Sequence, residues 1–143
     1  MYGALDISTA GMLVQRTRVE VASANIAGAG AVRDADGNLN PYRRRTALIA
    51  AGDPEGRSEF ARQFGVRVAE IAVDDAPAQP RRYDPDHPDA YPDGPYKGYV
   101  AESNVNTVLE QINAMEAARA YEANVVAAEV TKQMMAVALR LIG

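Results

Sequence analysis

The chain has 143 residues, 15 of them Lys or Arg and 19 Asp or Glu, for a formal net charge of −4. That length suits one ordinary domain or a small body with long appendages, and the mild acidity argues against a nucleic-acid binder, which would carry a marked basic excess. There are no cysteines, which excludes disulfides, thiolate metal sites and cysteine nucleophiles and suits a protein able to live in an oxidising compartment.

From about Ala4 to Ala27 there is no proline, and the pattern predicts a helix. Leu5, Met12, Val19 and Ile26 recur at heptad spacing, and Ile7, Val14 and Val21 repeat that spacing two positions on. Two residues subtend about 200° on a helix, so the stripes lie on different sides. A helix apolar on two sides needs neighbours on two sides. Gly28 and Gly30 follow, and glycine permits the backbone angles that stop a helix. The opening MYGALDISTAGML lacks a basic leader, and Asp6 interrupts any apolar signal core, so no cleaved secretory signal is expected. No apolar run approaches the ~18 residues needed to span a bilayer.

Between about Val32 and Ala101 the pattern changes. Phe64, Val66 and Val68 alternate, and Ile71 and Val73 then alternate in the opposite phase, which predicts a strand with a bulge near Ala69-Glu70. Tyr42 to Ile49 and Tyr96 to Val100 are weaker strand candidates. Asp34-Ala35-Asp36-Gly37-Asn38 is turn chemistry. Arg43, Arg44 and Arg45 form one short basic run and Arg81 with Arg82 another. Neither has the interleaved aromatics of a base-stacking platform, and both read as solvated surface.

Residues 77–95 hold six of the eight prolines and are not expected to form regular structure. Within them YDPDHPDAYPDG carries the single histidine, His87, among Asp84, Asp86, Asp89 and Asp93. A calcium loop wants carboxylates at alternating positions and a closing bidentate glutamate, which is missing here. A zinc site needs more nitrogen or sulfur ligands than one histidine offers. The segment reads instead as a stiff loop handing the chain to the next element, with no metal and no cofactor expected.

From Val105 to Leu141 apolar residues follow a helical step: Val105, Val108 with Leu109, Ile112, Met115, Ala118, Ala123, Val126, Val130, Met134, Val137 and Leu141. Thr107 and Glu110 have capping-box spacing, so a start near Thr107, or a few residues earlier at Ser103 or Asn104, is predicted. Such a helix would be ~55 Å long at 1.5 Å per residue. Glu116, Arg119 and Glu122 read as a solvated charge ladder. Burying the stripe falls short of the entropy lost in ordering so long a helix. Pairing it with the first helix narrows the gap but is expected to leave the second N-terminal stripe exposed. The terminal helices are therefore expected to be most stable in an assembly of many copies. A self-contained helical hairpin, alone or as a dimer, is the alternative.

Specific residues also carry a family likeness. Ala4-Leu5-Asp6-Ile7-Ser8-Thr9-Ala10-Gly11-Met12, Gln15-Arg16-Thr17-Arg18 and Ser23-Ala24-Asn25-Ile26-Ala27 resemble the opening of bacterial flagellar rod proteins. Ser103-Asn104-Val105-Asn106, Met115, Ala118-Arg119-Ala120-Tyr121-Glu122-Ala123-Asn124-Val125 and Lys132 resemble their closing helix. Tyr83-Asp84-Pro85-Asp86-His87-Pro88-Asp89-Ala90, leading to Gly98-Tyr99-Val100, is similar to the proximal-rod kind within that rod and hook axial family. Ser103 stands where a proline is usual.

The resemblance implies a mainly α chain with a small β-containing middle domain, its terminal helices paired as a coiled coil. It implies a tube-forming N-terminal helix in 1–30, a middle domain in 31–102 and a tube-forming C-terminal helix in 103–143. The expected function is structural: a proximal-rod subunit of the bacterial flagellum. Its expected partners are copies of itself, other rod subunits and the type III export apparatus, with no nucleic acid, membrane span or small-molecule substrate. Its expected place is the periplasmic rod of the basal body, reached without signal cleavage. The helix faces expected to carry assembly are Leu5, Met12, Val19 and Ile26 with Val105, Val108, Ile112, Met115, Val126, Val130, Met134, Val137 and Leu141. Tyr83, Asp84, Pro85, His87, Pro88 and Asp89 form the signature loop.

Two other function classes compete. For an enzyme, Gly28-Ala29-Gly30 lacks the third glycine of a dinucleotide site and follows a helix, and His87 would be the sole base for a serine nucleophile. A soluble helical adaptor remains, its long helix capturing one partner helix.

Overall fold

The computed structural model describes residues 2–56, 58–76, 80 and 82–142. Arg81 of the second basic pair and Pro77 lie outside them. Helix α1 spans Tyr2–Gly28, strand β1 Arg45–Ala51, helix α2 Glu59–Phe64, strand β2 Val66–Val73 and helix α3 Thr107–Ile142. The protein is thus helix-rich, with one small antiparallel sheet between its terminal helices.

The helices α1 and α3 run antiparallel. Asn25 of α1 bonds Glu110 near the start of α3, whereas a Cβ placed on Gly11 would lie 2.7 Å from the Asn124 side chain farther along. The seam between them is small and polar. On α1 it holds Ser8, Gly11, Ala22 and Asn25, and on α3 Glu110 and Ala117, all buried. These α1 positions keep the three- and four-residue steps of one helix face. Ser8 satisfies its hydroxyl by donating to the Ala4 carbonyl one turn back, at 3.1 Å.

The side of α1 that carries the second stripe, next to the seam, is covered from within the chain, contrary to expectation. The sheet and α2 pack there, and Val14 of the second stripe is 2 % exposed. Ala10 and Val14 line one cleft with Val66 and Val68. The expectation failed because it counted only helices as neighbours, although a twisted hairpin buries one face equally well.

In the sheet, Leu48 pairs with Glu70 and Ile49 with Val68. Ala69 is the extra residue, so the bulge sits where the phase of the apolar alternation breaks. Phe64, expected to start the strand, belongs instead to α2. Ser58 caps that helix by accepting from the Ala61 N–H at 3.1 Å, and the strand begins only after Gly65. Tyr42 to Arg44 precede β1 rather than joining it. Tyr96 to Val100 forms two isolated bridges, Tyr83 to Tyr99 and Ala90 to Val100, and no strand, because Pro85, Pro88 and Pro92 opposite it lack the N–H groups of a ladder. The predicted turn is present: Asp34 Oδ1 accepts from the N–H groups of Asp36 and Asn38, and Gly37 adopts φ +83°.

Gly28 and Gly30 do not leave α1 through left-handed backbone, since neither has positive φ. What Gly28 supplies is room: a Cβ there would stand 2.7 Å from the Tyr42 ring. α3 starts at Thr107, within the expected range, but its cap is corrected. Asn106, not Thr107, caps it, its Oδ1 accepting from the N–H groups of Val108 and Leu109 at 3.1 and 3.2 Å. Asn is a strong N-cap acceptor, which leaves Glu110 free to turn inward.

The surface is large for the mass. The chain exposes 9690 Å² at 15.3 kDa, against roughly 7,100 Å² for a compact monomer of that size.

Candidate assembly faces

A polar knot sets the position of α3. Asn25, 0 % exposed, donates from Nδ2 to the Arg45 carbonyl and to Glu110 Oε2, both at 2.8 Å. Its Oδ1 accepts from the Arg45 N–H at 2.9 Å and the Tyr42 hydroxyl at 3.2 Å. Glu110 Oε1 in turn accepts from Arg44 Nε at 2.8 Å and Asn113 Nδ2 at 3.1 Å. One amide and one carboxylate thus join the end of α1, the start of β1 and the start of α3. Among the described residues no buried side-chain polar atom is left without a partner, as such a network requires.

The loop before α3 reinforces the junction. Asn104 Oδ1 accepts from the Arg44 N–H at 2.7 Å, and its Nδ2 donates to the carbonyls of Asp74 and Ala76. Ser103 Oγ donates to the Tyr42 carbonyl at 2.5 Å, a bond that a proline there could not make.

The basic run Arg43–Arg45 is therefore corrected from plain solvated surface. Arg44 is mostly covered and paired with Glu110, and Arg45 stacks 5.5 Å from the centre of the Tyr42 ring. Arg43 keeps the solvated reading, with an exposed pair to Asp75. So does Arg82, which pairs with Asp84. Glu116, Arg119 and Glu122 are exposed.

With Glu110 and Ala117 turned towards α1, the apolar stripe of α3 faces the other way. Val126 lies nine residues beyond Ala117, half a turn around the axis at about 100° per residue. Val108, Ile112, Met115, Val126, Val130, Met134, Val137 and Leu141 are all exposed, from 44 % at Ile112 to 83 % at Leu141. Val105, in the preceding loop, is half-buried, as are Leu5, Met12, Val19 and Ile26 of α1. The structure thus leaves the α3 residues uncovered in two stretches, separated by the exposed Glu116, Arg119 and Glu122, and tucks the α1 residues partly away. Phe60 and Phe64, the two phenylalanines of the chain, add an exposed pair on α2 with ring centres 5.8 Å apart.

The signature loop is held by a residue the sequence reading passed over. Arg33 donates from Nε to Asp89 Oδ1 at 2.6 Å, from one terminal nitrogen to the Pro88 carbonyl at 2.6 Å, and from the other to the Gly37 carbonyl at 2.7 Å. His87 Nδ1 accepts from the Asp89 N–H at 3.1 Å, which makes it part of the turn. Gly98, at φ +80°, lets Tyr83 and Pro85 pack against its backbone, and the Tyr83 and Tyr99 rings meet edge to face at 5.2 Å. Among the described residues, no three His, Asp or Glu side chains converge as metal ligands would. Arg33→Ala is expected to open this loop and speed its cleavage in limited proteolysis, while His87→Ala leaves cleavage and motility nearly unchanged. Non-motile cells with normally folded His87→Ala protein would reverse that assignment.

Residues 96–141 match the family model described as flagellar basal body rod FlgEFG protein C-terminal. Over nearly its whole length the chain is similar to flagellar basal-body rod protein FlgC of Borreliella burgdorferi, 36 % identical across 99 % of this chain and 97 % of that protein. The chain belongs to the FlgC family of flagellar basal-body rod proteins. FlgC of Bacillus subtilis is 31 % identical across 98 % of this chain and 97 % of its own length, and FlgC of Salmonella typhimurium 33 % across 95 % and 93 %. A FlgC-family chain is a structural protein of the rod and not an enzyme. No helix among the described residues is long and apolar enough to cross a membrane.

Proposed function

We propose that this chain is a structural subunit of the proximal rod that assembles through its terminal helices with copies of itself and with other rod subunits. The observation that carries this reading is the uncovered apolar strip of α3, lying opposite the seam that holds α1. So many exposed apolar side chains along one side of a helix mark a contact face, and the excess exposed area points the same way. In this reading α1 and α3 pair as a coiled coil in the tube wall, residues 1–30 and 103–143 form the tube, and 31–102 form a small outer body. The residues taken to meet neighbours are those of the α3 strip, flanked by Leu5, Met12, Val19 and Ile26. The signature loop, fastened by Arg33, stiffens the outer body where it joins α3.

Delivery follows from the same reading: export through the flagellar type III apparatus without cleavage, to the part of the rod that crosses the periplasm. Mass spectrometry of purified hook–basal bodies tests it. The expected result is this chain with its Tyr2-Gly3-Ala4 peptide intact. Its absence from complete basal bodies, with abundant protein left in the cytosol, would favour the helical-adaptor reading.

A further inference from the structure

We propose that Glu110 is a positioning residue that fixes the rotational setting of α3 on α1, so that the apolar strip points away from α1 and stays available to neighbours. The inference rests on the assembly reading above, and its test is separable from it.

An isolated pair of these helices has two ways to pack. In the observed one α3 offers α1 its poor face, with Glu110, Ala117 and Asn124 on the seam. Rolled by half a turn, it would offer Val108, Ile112, Val126 and Val130 instead. Burial of apolar surface alone favours the rolled form for a chain without neighbours. The α1 side of the seam would not forbid it, since Ser8, Gly11 and Ala22 are small and make a shallow bed. The better apolar face nevertheless points outward.

What opposes the roll is concentrated in one side chain. Among the described residues, Asn25 to Glu110 is the one hydrogen bond that joins α1 to α3. Asn124, farther along the seam, spends its amide on the Ala120 carbonyl of its own helix. A roll would swing Glu110 out of the junction. It would leave the second amide hydrogen of the fully buried Asn25 without an acceptor, and Arg44 without its carboxylate. An unmet buried donor is costly in a way that apolar contacts are not, because it loses water and gains nothing. A single buried polar contact selecting one helix setting over another is a known use of such groups. The neighbouring bonds of Asn104 and Ser103 hold the end of the loop but place no constraint on rotation beyond it. Glu110 supplies that constraint.

The absence of cysteines allows a direct test by disulfide mapping in the purified full chain. One reporter carries Gly11→Cys with Asn124→Cys, a pair in which a Cβ at Gly11 would stand 2.7 Å from the Asn124 side chain across the seam. The other carries Gly11→Cys, Asn124→Ala and Val126→Cys, which close only in the rolled setting. With Glu110 present, the first reporter forms the intramolecular disulfide and the second does not. Glu110→Gln keeps an acceptor for Asn25 but not the charge facing Arg44, and should still give the first disulfide as its main product. Glu110→Met, close in volume and without an acceptor, should shift the ratio of the two products by about tenfold or more towards the rolled pair, with helical circular dichroism retained. Retention of the parent ratio in Glu110→Met overturns the proposal. So does loss of both disulfides together with the helical signal, which would make Glu110 a folding determinant only. Because the readout is intramolecular, it stands whether or not the strip proves to be the rod contact.

Discussion

Val130→Asp yields a chain that folds as the parent does and builds no rod. Val130 is 46 % exposed in the free subunit, and a substitution at such a position shifts stability by within about 0.5 kcal/mol. In a packed wall the same side chain would be pressed between helices, where an uncompensated carboxylate costs several kcal/mol, on the order of a buried unpaired charge. The penalty recurs at every copy. Thermal melts of the purified variant should overlay those of the parent, while swarm plates show no spreading and electron micrographs show no complete basal bodies. Met134→Asp, in the same strip, should do the same. Complete, motile flagella containing either variant would sink the assignment of this strip to the rod wall.

Asn25→Ala strikes the free subunit instead. The substitution removes four hydrogen bonds at a site with no access to water. It leaves the backbone N–H and carbonyl of Arg45 unmet and deprives Glu110 of one partner. At about 1–3 kcal/mol for each buried group left unsatisfied, the expected loss is roughly 3–5 kcal/mol, a large share of the 5–15 kcal/mol typical of a whole domain. Urea titration measures it. Asn25→Asp is the sharper control, because it keeps the shape and replaces a donor facing Glu110 with a second carboxylate. It should destabilise at least as much as Asn25→Ala. A midpoint near that of the parent for either variant would remove the knot from its place at the centre of the fold.

The terminal helices, the Ala69 bulge and the 34–38 turn were legible because each depends on local periodicity or local turn chemistry. Leu5 to Ile26 and Val105 to Leu141 announce helices by spacing alone. Legibility ended where distant residues meet. Asn25 looked like one polar residue near a helix end, and Glu110 like the far half of a capping box; neither local pattern names a partner 85 positions away. Arg44 read as solvent-facing for the same reason. Its carboxylate lies on α3, beyond the whole middle of the chain. The second stripe of α1 was correctly read as needing a neighbour, but the hairpin that covers Val14 was out of sight. Arg33 stands in the sequence as a cation beside the 34–38 turn, yet its anchor at Asp89 is set by tertiary structure. Among the candidate site residues, those from Val108 to Leu141 were legible from sequence as an apolar stripe, whereas Val105 lies in the loop before α3. That the stripe faces away from α1 was not legible, because periodicity defines a stripe without saying which side of the helix its companion takes.

Helix α1 touches every other helix and strand of the fold, and this governs the order in which the molecule can become itself. A chain supplied from its first residue onward presents the hub at once and the element that completes its surroundings last. Until α3 arrives, Asn25 has no carboxylate to hold, and closing the knot spans most of the chain, a contact of high sequence separation that is slow to form. The hairpin and α2 cannot substitute for it on that side. The fold is therefore closed by its final quarter, and a growing or threading chain stays open until then.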